Sequence, residues 1–301
     1  MDTTDELILI ANGDSWTYGC EIVDPILLEK YPKITHLTEI DYLPENDSYR
    51  LSRVWSTKLA ELLKCKVMNI SEPGDDNTSI LSRTQEYVLH LLSQGVKPEQ
   101  LFIVIGWTSP ERRDFWYKSD DNTQSYKFKL NPHTPKYNER PLTELTRTYA
   151  LNFWNPEEYI VRYVTTVLNF QNFCVAHGIK FLSFNAFYRQ KNADIGTWQD
   201  INIEEQLNSL SLGNIPISDN STREVHRINY NTVWQNIDST RYYNKDNVNN
   251  SFKTFVDNTL GPQGYTGWHP NEDGHNLWAT QLFRYIQEHK LLNIGYDYER
   301  T

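Results

Sequence analysis

A serine set between glycines, in Gly13-Asp14-Ser15-Trp16-Thr17-Tyr18-Gly19, follows directly on the apolar run Leu7-Ile8-Leu9-Ile10-Ala11. A tight turn at the end of a buried strand lifts its side chains to the rim of a sheet, where α/β folds hold their chemistry. A serine hydroxyl presented in this way can attack a carbonyl carbon if three further groups are present. A base must take its proton, another group must orient the base, and N–H donors must receive the oxyanion. Near the other end, Gly267-Trp268-His269-Pro270-Asn271-Glu272-Asp273-Gly274-His275 offers the base. Pro270 fixes the backbone entering a helix that Asn271 or Asp273 can cap, so His269 stands on a rigid connection just outside it. A histidine before a helix is ordinarily structural, but paired with the Ser15 turn it becomes the expected base. His269 and His275 are not at the i, i+4 spacing that puts two metal ligands on one helical face. No metal site is expected, and His275 is expected to pack or cap within the first helical turns.

The elements that must carry these residues alternate between strand and helix. After the first apolar run, Leu51, Val54, Trp55, Leu59, Leu62 and Leu63 mark one face of a helix, followed by the short strand Lys66-Val67-Met68-Asn69-Ile70. A helix is expected over Ile80 to Leu92, and the strongest strand run, Leu101-Phe102-Ile103-Val104-Ile105, ends at Gly106. A long amphipathic helix is predicted from about Pro156 to His177 with Gly178 as its C-cap, before the strand Ile179-Lys180-Phe181-Leu182-Ser183-Phe184. The last helix begins near Asn271-Glu272-Asp273 and carries Leu277, Trp278, Leu282, Phe283 and Ile286. Strands separated by helices of this length imply a parallel sheet with right-handed crossovers, covered on both faces. Three stretches break the rhythm, at about 20–49, 111–155 and 186–265. Each is rich in Asn, Asp, Tyr, Trp and Pro and follows a predicted strand, so all three are expected to gather over the carboxyl edge as a lid or pocket wall. The Asn-rich run from Asn244 to Asn250 reads equally as a mobile loop without a role. With no repeat or detachable linker visible, residues 1–301 are read as a single domain with insertions.

At 301 residues and 39% hydrophobic content the chain can bury a substantial core. Its net charge is −10 at pH 7 and no basic stripe is visible. That excludes a partner gripped through phosphates, because neutralising a nucleic-acid backbone takes clustered Lys and Arg. Cys20, Cys65 and Cys174 lie far apart, so all three read as buried free thiols rather than a disulfide framework or thiolate metal site. The acidic start Met1-Asp2-Thr3-Thr4-Asp5-Glu6 runs straight into the first strand, unlike a secretory leader with its basic segment and longer apolar one. No run reaches membrane-spanning length. The expectation is a cytoplasmic or virion-associated protein with no signal peptide and no nucleic-acid or membrane partner.

In their order and spacing the motifs resemble those of the SGNH hydrolases, also called the GDSL esterase and lipase superfamily. Gly13-Asp14-Ser15 matches the opening block, and Asn69-Ile70-Ser71-Glu72-Pro73-Gly74-Asp75-Asp76-Asn77-Thr78 looks like the second. Gly106-Trp107-Thr108-Ser109 stands at the third, and His269-Pro270 closes the set. The resemblance implies a three-layer αβα sandwich, flavodoxin-like in style, around a central parallel sheet. It also implies Ser15 as nucleophile, His269 as general base, the N–H groups of Ser15 and Gly74 in an oxyanion hole, and no cofactor. Glycine suits position 74 because an amide without a neighbouring Cβ can approach a developing negative charge.

Two positions depart from that pattern. Where the family places Asn in Gly-X-Asn-Asp, this chain has Thr108, whose hydroxyl donates one hydrogen bond but is shorter and differently aimed; Asn77 is an alternative donor. The family's orienting acid stands three residues before the histidine, and here that residue is Thr266. Three explanations are open: a Ser-His dyad oriented by a backbone carbonyl, an acid from elsewhere such as Asp257, or lost catalysis. Asp14 is expected to fix the turn by accepting from local amides, with Asp75 and Asp76 doing similar work at the next helix. Arg112 or Arg113 either grips an acidic group of the substrate or pairs with Glu111. Trp107, Trp116, Trp154, Trp198, Trp234 and Trp268 fall mostly in the insertions or beside the motifs, where aromatic rings suit pyranose stacking. Trp107, Arg112 and Trp268 are the expected substrate contacts. The resulting reading is a serine ester hydrolase that removes O-acetyl or other short acyl groups from a carbohydrate, its partner a small ester or acylated glycan. The alternative is a catalytically silent SGNH-like protein that binds glycans or builds a virion, resembling uncharacterised members in tailed phages.

Overall fold

Alternation along four apolar runs decides how the molecule is layered. In the computed structural model, which describes residues 6–34, 36–118, 125–130, 140–153, 155–187, 190–191, 198–199, 230–245 and 251–292, the chain begins with β1 (Ile8–Gly13) and α1 (Ser15–Tyr18). Then come α2 (Pro25–Lys30), α3 (Thr38–Asp41), α4 (Pro44–Leu51), α5 (Trp55–Leu63), β2 (Lys66–Asn69), α6 (Asn77–Ser93) and β3 (Leu101–Trp107). A hairpin of β4 (Arg113–Lys118) and β5 (Ser125–Leu130) precedes α7 (Arg140–Asn152), α8 (Pro156–Ala176) and β6 (Lys180–Asn185). The rest comprises β7 (Gln190–Lys191), β8 (Trp198–Gln199), α9 (Tyr230–Gln235), α10 (Phe252–Thr259), β9 (Tyr265–Thr266), β10 (His269–Pro270) and α11 (Glu272–Glu288).

The central sheet runs β2-β1-β3-β6 with every pairing parallel. Successive strand residues point to opposite faces, and both faces are apolar. Ile10, Ile103 and Ile105 pack with Ile80 and Val88 of α6 and with Ile160, Val164 and Val167 of α8. On the other face Leu9, Ala11, Phe102, Val104, Leu182 and Phe184 pack with Trp55 and Leu59 of α5 and with Trp278 and Leu282 of α11. The result is an α/β fold of three αβα layers, and its most intimate packing is aromatic. The Phe184 ring meets Trp55 at 5.3 Å and Trp278 at 5.1 Å, both edge to face.

Two expectations change. The apolar pattern from Leu51 to Leu63 is not one helix, because Ser52–Val54 separates α4 from α5 and Val54 supplies the N-cap. Val54, Trp55, Leu59 and Leu63 are buried while Leu51 and Leu62 are exposed. Nor does the whole third insertion lie over the carboxyl edge. Tyr242 bridges Ser183 in parallel beside β6, α9 packs on α8, and Tyr242, Tyr243, Phe252 and Val256 join the core. Four large apolar side chains in that stretch, each worth roughly 1.5–3 kcal/mol when buried, draw it down against the layers. Residues 246–250 of the Asn-rich run, and Trp154, lie outside the described residues. Among the described residues no helix is long and apolar enough to cross a membrane.

Candidate active site

The turn that carries Ser15 is fixed from both sides. Gly13 closes β1 opposite Gly106 of β3, and a Cβ at position 13 would meet Thr17 Oγ1 at 2.3 Å and the Gly106 carbonyl at 2.8 Å. Asp14 caps α1 by accepting from the Trp16 N–H at 3.0 Å. The helix lasts one turn and ends at Gly19, whose φ of 85° closes the cap. Ser15 thus starts a short helix at the carboxyl end of the sheet. Its Oγ lies 3.0 Å from Nε2 of His269, on the partner strand of the small β9–β10 hairpin, where His269 pairs with Thr266. Asn271 caps α11 by accepting from the Gly274 N–H, and Pro270 stands before that cap rather than in the first helical turn.

An acid does face the base, and it is Glu21. Its Oε2 lies 3.2 Å from His269 Nδ1 and accepts from the backbone N–H groups of Trp268 at 2.7 Å and His269 at 3.1 Å. The Nδ1 contact is at ion-pair distance without the alignment of a hydrogen bond. The backbone of Glu21 is held in the left-handed region, φ 68°, by Asp41, whose two oxygens accept its N–H at 2.8 and 3.0 Å. Burial pushes the Glu21 carboxyl up, but His269 and the two backbone N–H groups outweigh it and hold its pKa below the ordinary 4.5. Burial is not outweighed at Asp41, whose pKa is raised. An ionised Glu21 favours the proton on Nδ1 and leaves Nε2 free to accept from Ser15. Asp257 does none of this: its carboxylate is taken by Lys253 at 2.6 Å and the Tyr265 hydroxyl at 2.7 Å. No periodicity marks Glu21 in the sequence, and only its place just beyond the Ser15 turn hints at it.

Glu72 N–H bonds to the Gly13 carbonyl at 3.3 Å, which lays the second motif beside the Ser15 turn. Gly74 there has φ 77°. Both side-chain donors expected from sequence are engaged, Thr108 with its only proton and Asn77 with one of its two N–H groups. The single hydroxyl proton of Thr108 goes to Asp14 Oδ2 at 2.6 Å. Asn77 clasps the Thr108 main chain, accepting from its N–H at 2.9 Å and donating to its carbonyl at 3.0 Å. Asp14 is fully buried, and its Oδ2 also takes Arg112 Nη1 at 2.9 Å. Arg112 therefore pairs with Asp14 rather than Glu111, and Arg113 with Glu158.

The other expected contacts divide sharply. Trp107 is wholly buried and meets Phe170 of α8 edge on at 5.7 Å. It shares a strand face with Ile103 and Ile105, so it is core and touches no substrate. Trp234 is buried as well, whereas Trp116 is 72% and Trp268 85% exposed, the latter adjoining His269. His275 is fully buried and accepts from the Trp55 N–H through Nδ1 at 3.1 Å. Asp76 caps α6 through Ser79 N–H at 2.7 Å, but Asp75 is a buried charge hub. It pairs with Lys127 at 2.7 Å, with Lys129 at 3.5 Å and with Arg83, pinning the β4–β5 hairpin onto the loop that carries Gly74.

Residues 38–199 match the model of a family described as a family of unknown function, DUF6071. The match includes Asp41, Gly74, Asn77, Thr108 and Arg112, while Ser15, Glu21 and His269 lie beyond it. No curated protein matches the chain. Among solved structures it is similar to a protein from Desulfitobacterium hafniense DCB-2 described as lipolytic and of the G-D-S-L family, at 11% identity over 92% of this chain and 98% of that one, TM-score 0.39. It is also similar to a carbohydrate esterase family 2 enzyme with a carbohydrate-binding domain from Corynascus thermopiles (Myceliophthora fergusii), at 11% identity, 94% and 66% coverage and TM-score 0.45. A third is the acetyl xylan esterase Est2A from the rumen bacterium Butyrivibrio proteoclasticus, at 12% identity, 94% and 64% coverage and TM-score 0.39. At such identities and scores the likeness assigns no chemistry to this chain.

Proposed function

We propose that this chain, which belongs to the family of unknown function DUF6071, is a serine ester hydrolase acting on a short acyl group carried by a carbohydrate. The observation that carries the reading is the line of three groups, with Ser15 Oγ at 3.0 Å from His269 Nε2 and Glu21 Oε2 at 3.2 Å from His269 Nδ1. As the Ser15 oxygen bonds to the acyl carbon, its proton passes to Nε2, and the imidazolium is stabilised by Glu21. Collapse of the tetrahedral intermediate breaks the ester C–O bond, and Nε2–H protonates the leaving alcohol. Water then repeats the sequence on the acyl-enzyme, with His269 again as base. The N–H groups of Ser15 and Gly74, which have no acceptor among the described residues, face the role of oxyanion donors. The exposed indole of Trp268 beside the base supports a sugar as the leaving group.

The test is covalent. Treatment with a fluorophosphonate probe, followed by mass spectrometry, is expected to place one adduct on Ser15 and none after Ser15→Ala. An unlabelled native protein at neutral pH overturns the hydrolase reading in favour of a silent glycan-binding or structural domain. Acetate release from acetylated xylan, measured against p-nitrophenyl acetate, then separates a carbohydrate esterase from a general one.

A further inference from the structure

We infer that Arg112 is a catalytic residue, the cation that meets the acyl oxygen as it becomes negative. The inference rests on the hydrolase reading of Ser15. Asp14 is fully buried and immediately precedes the nucleophile. An unneutralised carboxylate there would oppose any oxyanion formed on the carbon that Ser15 attacks, because like charges in a water-poor site repel strongly. Three donors converge on it: the Trp16 N–H on Oδ1, and the Thr108 hydroxyl and Arg112 Nη1 on Oδ2. Of these, Arg112 alone brings a charge, and it is permanent.

The guanidinium is also placed to do more than neutralise. It lies 4.9 Å over the ring of Phe187, and that ring is 5.5 Å from Trp16, the residue after the nucleophile. Cation, Phe187 and Trp16 thus form one row that ends at the residue after Ser15. Asp14 occupies a single Nη1 hydrogen of the five that a guanidinium can donate. The side chain makes no other ion pair among the described residues and keeps 22% of its surface open. Of the neighbouring side chains, Thr108 has its single proton committed to Asp14, and Asn77, which spends one of its two N–H groups and its oxygen on the Thr108 main chain, brings no charge. A fixed cation with unused N–H groups, bonded to the residue that precedes the nucleophile, is the kind of group that electrostatic stabilisation of an oxyanion draws on.

The experiment compares native protein with Arg112→Ala and Arg112→Lys, measuring fluorophosphonate labelling of Ser15, steady-state hydrolysis of p-nitrophenyl acetate and thermal melting. Arg112→Ala is expected to lower kcat by about 10²–10³ with KM little changed, and to slow labelling in parallel. Millimolar guanidinium ion is expected to restore part of the kcat of Arg112→Ala and to leave the native enzyme unaffected. Arg112→Lys, which keeps the charge without the planar fork, should fall between the two. A folded Arg112→Ala whose kcat stays within a few fold of native overturns the inference, as does a loss that guanidinium cannot restore, which would make Arg112 a structural tie to Asp14. If the native protein itself is not labelled, the hydrolase reading fails first and takes this inference with it. Labelled native protein with an indifferent Arg112→Ala removes only the inference.

Discussion

A base needs its far nitrogen held, and the chain position of the group that holds it is immaterial to the imidazole. Glu21 reaches His269 from just beyond the Ser15 turn, while Thr266, three residues before the histidine, merely pairs with it across the β9–β10 hairpin. Glu21→Gln keeps the shape but can present an N–H to Nδ1, which drives the ring to the wrong tautomer; kcat should fall by up to about 10⁴. Asp257→Asn should leave kcat unchanged, because that carboxylate serves Lys253 and Tyr265. Steady-state kinetics of the two variants decide between the acids: equal losses, or none in Glu21→Gln, would remove Glu21 from the role. The pH behaviour has a definite sign. A carboxyl held below 4.5 in the folded state stabilises the fold above its unfolded pKa, and that contribution is lost only as pH falls through the lower folded value. Glu21 therefore stays ionised through the acid limb in which an ordinary glutamate would already be protonated.

Short elements carry the geometry, and these were the least legible in the sequence. β1, β2, β3 and β6 with α6, α8 and α11 announce themselves through period and length, and they frame the ends of the chain that bring Ser15 and His269 together. Trp107, expected as a substrate contact, is a misreading of the same pattern, since extending the alternation from Ile103 and Ile105 by one step puts it in the core. Glu21, Asp41 and the Arg112–Asp14 pairing are not legible, because they depend on a left-handed residue, a one-turn helix and a salt bridge between distant loops. None of these leaves a periodic trace. The β9–β10 turn shows how tightly such an element is specified. Gly267 has φ 60°, and a Cβ on it would meet Glu21 Oε2 at 2.6 Å. Gly267→Ala should displace the carboxylate from His269 and cut kcat along with stability. Gly178→Ala is the control: with φ 68° and nothing within 4 Å of its Cβ, it should cost only backbone strain, about 1–2 kcal/mol. Unchanged kcat in Gly267→Ala would mean that the turn does not hold the acid.

At the scale of the whole molecule, one group joins α5 to α11 within a single helical layer and makes that junction sensitive to acid. His275 is fully buried at the start of α11, where it accepts from the Trp55 N–H of α5 and lies edge on to Phe252 of α10 at 5.6 Å. Accepting through Nδ1 requires a neutral ring with its proton on Nε2. Protonation would set N–H against N–H and strand a charge among aromatic rings. Burial first, and the nearby His269 second, accordingly lower its pKa from 6.5 to about 3. In the unfolded chain this histidine binds a proton near pH 6.5, while the folded protein refuses it down to about 3. The unfolded state then holds the extra proton, and stability falls as pH drops through that window. The loss attributable to this one residue is at most about 5 kcal/mol, because each tenfold difference in proton affinity is worth about 1.4 kcal/mol. Gln at position 275 can still accept from Trp55 through its carbonyl but takes up no proton. Urea unfolding at pH 7, 5.5 and 4 should therefore show a steeper loss in the native protein than in His275→Gln, with carboxylate contributions common to both cancelling in the difference. Parallel slopes would show that the α5–α11 junction does not depend on a neutral His275.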